Sequence, residues 1–238
     1  MSSPSSATRL DRAGTWRGFQ RMAPISLFVI AFGLAFGVAA VQHGLSNLET
    51  LLMSALVFAG ASQFAALEMW GPELPLVALV ASTFAINARH LLMGASLYPW
   101  LRELPATQRY ATLSVLTDAN WAMASNDYQR GRRNVGILLG GGLALWLAWM
   151  LGCLLGVVFG SGISEPERFG LDVIMGCFLL SMAIGGGDDG SMLLPWIAAA
   201  IGALLALWWM PPHTHVIVGA LVGGAVGVLR MPAREATA

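Results

Sequence analysis

The chain has 238 residues, of which 56% are hydrophobic and 11% are charged. A soluble core of this length cannot bury that much apolar surface, so the composition excludes an ordinary soluble domain and indicates an integral membrane protein. All 13 basic residues are arginines, and 13 acidic residues balance them. Because the net charge is zero, no basic field points to nucleic acid as a partner.

Eight apolar stretches follow one another along the chain, and most have the roughly 17–25 residues that a membrane-spanning helix needs. Short connectors of Gly, Pro and charged residues separate them and leave no room for a second domain. We therefore predict an all-α fold: a polytopic bundle of about eight transmembrane helices, or about seven if one is re-entrant, with broken helices allowed. The stretches are 24–43, 48–70, 75–100, 110–126, 135–159, 169–185, 192–209 and 213–229.

The distribution of arginine predicts the orientation. With an even number of spans, most arginines fall on one side, and the other side receives only Arg102, Arg109 and Arg168. The positive-inside rule then places both termini in the cytoplasm. We predict cytoplasmic tails at 1–21 and 231–238 around one transmembrane domain at 22–230, and the first tail lacks the apolar core of a signal peptide.

The second stretch has a run of small residues, 59–62, followed by a glutamine at membrane depth. A helix that unwinds there would offer backbone N–H groups and a positive helix end to an anion such as a carboxylate. Spacing alone slightly favours the alternative, a continuous helix that crosses a neighbour closely. Gly60, Ser62 and Gln63 are the candidate residues of the first interpretation.

Polar residues concentrate in the third and fourth stretches, where each needs a partner or a water-filled cavity. In the third, Asn87 and His90 share one helical face, and Arg89 lies beside it. The fourth is barely apolar enough to insert alone and carries a second polar stripe. The members of that stripe are Ser114, Thr117, Asp118, Trp121 and Ser125.

Arg89 and Asp118 have opposite charges on neighbouring stretches, and two interpretations stay open. They form a structural ion pair, or they belong to a substrate or proton site. A pair that exchanges partners during transport would satisfy both interpretations. His90 is a second candidate for moving protons, although a lone histidine on a helix face more often makes a structural hydrogen bond.

Other features argue against an enzyme. We find no nucleophile with a base, no phosphate-binding loop and no metal-ligand spacing, so neither a cofactor nor a metal is expected. His213 and His215 do not share a helical face. Several tryptophans lie near span ends, as the membrane interface favours, but Trp121, Trp146 and Trp149 do not fit that belt.

The sequence resembles the AzlC family of branched-chain amino acid permeases over nearly its whole length, from residue 18 to about residue 230. The run 58–64 around Gln63 is the most specific part of the resemblance. The other matching segments are Gly18-Phe19, Pro24 with the run to Phe36-Gly37, Met53-Ser54, 87–90 with 91–97, and Thr117-Asp118.

This resemblance implies a secondary transporter of the bacterial cytoplasmic (inner) membrane that exports branched-chain amino acids, valine among them. It also implies a partner, a small AzlD-like membrane subunit. With no nucleotide motif, the proton gradient is the simplest energy source. The alternatives are a carrier or channel for another small metabolite, or a non-transport assembly subunit. An assembly subunit would not need two polar stripes at membrane depth.

The resemblance makes the polar positions interpretable as an amino acid site, which needs an ammonium acceptor, carboxylate donors and an apolar pocket. We assign the carboxylate to the Gly60–Gln63 backbone or to Arg89. We assign the ammonium to Asp118, with Asn87 or Asn120 assisting. The remaining candidates are Phe58 and Phe64 for the aliphatic side chain, Trp121 at the substrate, and Asp118 and His90 for proton coupling.

Overall fold

A computed structural model describes residues 8–160, 193–211 and 214–230. Within these ranges the regular structure is helical, apart from one isolated bridge between Arg9 and Asn134. The prediction of an all-α fold is confirmed. The helices are α1 Arg12–Gln42, α2 Asn47–Val57, α3 Gly60–Glu68, α4 Leu76–Leu101, α5 Ala106–Leu113, α6 Asp118–Gln129, α7 Gly136–Gly160, α8 Leu193–Trp209 and α9 His215–Arg230.

Three of the described helices, α1, α4 and α7, are long and apolar enough to cross a membrane by themselves. Helices α2, α8 and α9 are apolar but shorter. The predicted stretches 48–70 and 110–126 are each divided into two helices, so a continuous helix is wrong for both. The predicted stretch 169–185 and the tail 231–238 lie outside the described residues.

The chain divides into two compact units. The first comprises Met1–Gln63 and Ala88–Ile174, and the second comprises Phe64–Asn87 and Met175–Ala238. In the second unit, α8 and α9 are antiparallel, with Gly202 beside Val222 and Gly223 beside Ala199. Helix α1 begins at Arg12, inside the predicted tail, and the single domain at 22–230 stays a prediction.

Helices α1 and α7 of the first unit pack through glycines that have no room for a side chain. Gly33 faces Gly152, and Gly37 faces Gly156, with a constant offset of 119 residues that identifies the two helices as parallel. A Cβ at Gly152 would collide with the carbonyl oxygen of Ile30. Such backbone proximity replaces the hydrophobic driving force that is missing between helices in lipid.

The N-terminal segment and the α6–α7 connector lie together at the end where α1 and α7 begin. Arg9 N–H donates to the carbonyl of Arg133 at 3.0 Å, and Val135 N–H donates to the carbonyl of Arg9 at 2.8 Å. The N–H of Thr8 donates to Glu103 Oε2 at 3.2 Å, so the α4–α5 connector lies at this end too. The prediction that Arg102 is on the opposite side is therefore wrong.

This arrangement makes α5 and α6 a hairpin that enters and leaves at one end. Their 8 and 12 residues correspond to about 12 and about 18 Å, well short of a roughly 30 Å hydrocarbon core. Asn120, at the turn of the hairpin, donates to the Leu138 carbonyl and lies beside Gly141 and Gly142, all in the first two turns of α7. The fourth predicted span is therefore re-entrant.

Asp11 caps the start of α1 and gives a prediction on acid stability. Its Oδ1 accepts hydrogen bonds from Gly14 N–H at 2.7 Å and from Asn134 Nδ2 at 2.9 Å. These bonds, the one from Asn134 above all, lower the pKa of the Asp11 carboxyl below its ordinary value of 3.8. The carboxylate therefore stabilises the fold above that value, and the stabilisation disappears as the pH falls through the lowered pKa.

We expect Asp11→Asn to melt below the unsubstituted protein at about pH 6, and the difference to narrow toward about pH 3. The measurement is the melting temperature in detergent across that pH range. Asp11→Ala serves as a second variant, because it removes the acceptor altogether, whereas asparagine removes the charge and keeps one accepting oxygen. A difference that stays constant with pH would contradict the assignment.

Candidate functional site

The break between α2 and α3 separates the donor and the acceptor of a helical hydrogen bond, and a side chain takes each of these two groups. Phe58 has left-handed dihedral angles, φ 43° and ψ 47°, which end α2. In a continuous helix, Ala59 N–H would donate to the Ala55 carbonyl. Here Ala59 N–H donates to Gln63 Oε1 at 3.2 Å, and Trp146 Nε1 donates to the Ala55 carbonyl at 3.1 Å.

The first turn of α3 contains the predicted run of small residues. Gln63 is 1% exposed, and its Oε1 must face Ala59 N–H, which leaves Nε2 as a donor. Nε2 has no hydrogen-bond partner among the described residues. Since buried polar groups are almost always paired, this amide is a candidate ligand contact. The Ser62 hydroxyl is committed to the Ala59 carbonyl at 3.0 Å.

Gly60 is required by packing at the same break. A Cβ at this position would lie 2.8 Å from Phe32 Cε1 and 3.0 Å from Trp149 Cη2. Contacts of that length are closer than carbon atoms normally approach. Gly60 therefore lets α3 start directly against two aromatic rings.

Asn120 holds the second break, between α5 and α6. Its side chain is fully buried and forms a capping box with Thr117, whose N–H donates to Asn120 Oδ1 at 2.7 Å. Its Nδ2 donates to the carbonyls of Val115 at 2.9 Å and Leu138 at 3.1 Å. With the Thr117 hydroxyl also on Oδ1, at 3.1 Å, every hydrogen-bonding position of the amide is occupied. In this structure Asn120 therefore stabilises the connection between α5 and α6 through its hydrogen bonds.

Asp118 is the first residue of α6 and forms the predicted pair with Arg89. The Arg89 Nη2 to Asp118 Oδ2 distance is 3.4 Å, and the two side chains are 33% and 37% exposed. Trp121 lies one turn along α6 and donates from Nε1 to Ser96 Oγ of α4 at 2.9 Å. Because the pair is neither deeply buried nor tightly closed, its charges are open to competing partners.

The two breaks share one apolar cluster in the first unit. Phe58 from the first break and Ala119 from the second pack against the same buried side chains. A carboxylate with a guanidinium therefore lies at one break, and a helix N-terminus with a buried amide lies at the other. The cluster consists of Met22, Met123, Ile137, Ala144 and Leu145.

The remaining predicted residues are on the helices that follow. Asn87 and His90 are half-buried positions of α4 on either side of Arg89, and Asn87 belongs to the second unit. Phe64, on α3, is buried in the second unit. The roles assigned to these three residues stay predictions.

Sequence reasoning missed Asp127 near the end of α6. Its side chain is 2% exposed and bridges Arg21 Nη1 at 2.8 Å and Arg132 Nη1 at 3.0 Å. The segment 126–134 has the composition of a solvated connector, so its sequence did not predict that the Asp127 carboxylate is buried. The one available signal was its position among several arginines. The bridge ties the end of α6 to α1.

These features define an all-α membrane protein with two interrupted helices whose breaks lie against one apolar cluster. Residues 24–163 match the family described as AzlC protein, which is more than half of the chain. The chain belongs to the AzlC family.

Three relatives differ in how much of the chain they cover. Inner membrane protein YgaZ of Escherichia coli is 29% identical over 94% of this chain and 93% of its own. Branched-chain amino acid transport protein AzlC of Bacillus subtilis is 26% identical over 74% of this chain and 70% of its own. An uncharacterized membrane protein of Archaeoglobus fulgidus is 33% identical over 61% of this chain and 62% of its own. No solved structure shows significant similarity to the chain.

Proposed function

We propose that this protein is a secondary transporter that exports branched-chain amino acids, valine among them, across the bacterial cytoplasmic membrane. The observation that carries the proposal is that two helix breaks pack on one apolar cluster, with opposite charges at one break and, at the other, a buried amide donor that is unpartnered within the described part of the chain. The printed name of the Bacillus subtilis relative supports the choice of substrate. Discontinuous helices with facing ends are a common design for carrier sites.

The Arg89–Asp118 pair suits a zwitterion. An amino acid carries both counter-charges, so its ammonium can replace Arg89 at Asp118, while its carboxylate goes to Arg89 or to the start of α3. Of the Gly60–Gln63 backbone, the N–H groups of Gly60 and Ala61 supply donors there together with the Gln63 side-chain amide, because the Gln63 N–H already donates to the Ala59 carbonyl at 2.9 Å. Phe58 contributes apolar surface for the branched side chain. We assign Asn120 to positioning Asp118 and not to substrate contact, because its amide has no hydrogen-bonding position left.

Proton coupling is proposed for Asp118, with His90 as a relay. A carboxylate that exchanges a guanidinium partner for a proton or an ammonium can alternate between these states during a transport cycle. The arginines collected at the end where α1 begins support a cytoplasmic N-terminus. The proposed partner is a small AzlD-like membrane subunit.

The test is efflux of preloaded radiolabelled valine, leucine, isoleucine and methionine from cells that express the chain with or without a neighbouring AzlD-like protein. We expect faster, saturable efflux that requires the partner and is lost when the proton gradient is collapsed. Efflux that does not saturate would favour a channel. No change for any of the four, with both proteins shown to be in the membrane, would remove the substrate assignment.

A further inference from the structure

Trp146 lies in the middle of α7, away from the interface level at which tryptophan is most common in membrane proteins. Its indole nitrogen donates to the Ala55 carbonyl at 3.1 Å, across 91 residues of sequence. That carbonyl is the acceptor that Ala59 N–H would use if α2 and α3 were one helix. The contact therefore acts at the break itself.

The continuous helix is the natural competitor of the broken one. A left-handed residue other than glycine is strained, and Phe58 loses that strain when it returns to helical angles. Closing would also join Ala59 N–H to the Ala55 carbonyl and pair the next N–H groups of α3 with carbonyls of α2. Those are the donors that the proposed function assigns to the substrate carboxylate.

We infer that Trp146 is a positioning residue that stabilises the open break by giving the Ala55 carbonyl the hydrogen bond that it loses there. Gln63 occupies the other half of the missing bond, through Ala59 N–H. Without the indole N–H, the open state leaves a carbonyl without its partner, and the closed helix satisfies it. Trp146 thereby sets the fraction of molecules whose α3 donors are free to bind. This inference rests on the proposed function for the role of those donors, but not for the state of the helix.

Trp146→Phe removes the donor and keeps most of the aromatic volume. A smaller binding-competent fraction raises the half-saturating substrate concentration in proportion, while saturating substrate draws the protein back to the open state. We therefore expect this concentration to rise about five- to ten-fold for valine, with the maximal efflux rate per transporter nearly unchanged. Lower abundance alone would reduce the maximal rate per cell and leave the half-saturating concentration unchanged.

Trp100→Phe is the matched control. Trp100 is fully buried near the end of α4 and stacks on Tyr128, with ring centroids 5.3 Å apart. Its Nε1 has no hydrogen-bond partner among the described residues. Losing this N–H should leave the half-saturating concentration within about two-fold. Equal increases for the two variants would overturn the inference, because the effect would then come from ring volume.

Amide hydrogen exchange of the purified protein tests the helix state without transport. In Trp146→Phe, the amides of Gly60 and Ala61 should exchange more slowly, because closing pairs them with α2 carbonyls. If exchange slows but the protein exports no amino acid, the positioning role of Trp146 is supported and the proposed function is refuted. If the protein exports valine but Trp146→Phe changes neither the exchange nor the half-saturating concentration, the proposed function is supported and the positioning role is refuted.

A proline at position 59 tests whether slower exchange in Trp146→Phe comes from closing of the helix. Proline has no N–H, so Ala59→Pro cannot close the helix. Adding it to Trp146→Phe should restore fast exchange of the Gly60 and Ala61 amides. Exchange is the readout here, because proline also removes the N–H that holds the Gln63 side chain. A double variant whose amides exchange as slowly as those of Trp146→Phe would contradict the inference.

Discussion

Asp118→Asn is expected to reduce valine efflux by at least about 100-fold at equal amounts of protein in the membrane. The substitution keeps the shape of the side chain and its place at the start of α6, but it removes both the charge that faces Arg89 and the group that can carry a proton. The measurement is the initial efflux rate, normalised to membrane protein. Asp127→Asn is the control, because Asp127 is bonded to Arg21 and Arg132 and should affect stability rather than substrate affinity.

A charge exchange separates the two interpretations of the Arg89–Asp118 pair. Combining Arg89→Asp with Asp118→Arg restores an ion pair on the same two helices. If the pair is only structural, the double variant should regain efflux that each single variant loses. If Asp118 binds the ammonium, the double variant should remain inactive although folded. Full activity of the exchanged pair would remove Asp118 from the proposed site.

Gly152→Ala is expected to destabilise the protein by ~1–3 kcal/mol, because its Cβ would collide with the Ile30 carbonyl and force α1 and α7 apart. The loss of stability is measured by thermal melting in detergent, with the fraction of monodisperse protein as the readout. Gly94→Ala is the matched control, since nothing lies within 4 Å of a Cβ at Gly94. It should leave the melting temperature unchanged or slightly raised. Equal behaviour of the two variants would contradict the glycine contact.

The long apolar runs of the sequence predicted the positions of helices well. Helices α4, α7 and α8 begin and end within a residue or two of the predicted stretches, because the length of an apolar run in lipid directly specifies a helix. The two breaks were harder. The first depends on Trp146, 91 residues from the carbonyl that it bonds, and no local pattern contains that contact.

The second break did leave a local signal. Thr117 and Asn120 have the spacing of a capping box, which marks a helix start at Asp118, but we interpreted both as members of a polar stripe on one helix. The opposite charges of Arg89 and Asp118 correctly predicted their pairing. Asn120 was assigned to the substrate from polarity alone, because the sequence does not show that Leu138 and Val115 use its amide.

The α5–α6 hairpin also has a consequence for the order of assembly during synthesis. Its two short, polar helices have no route into the bilayer by themselves, and the carbonyl that receives Asn120 belongs to Leu138, which the ribosome adds later. Gly142 must follow as well, because the loop at Val115 fits against it only in the absence of a side chain. We therefore expect the hairpin to stay at the membrane surface until α7 has been inserted, and the ion pair at Asp118 to form only after that.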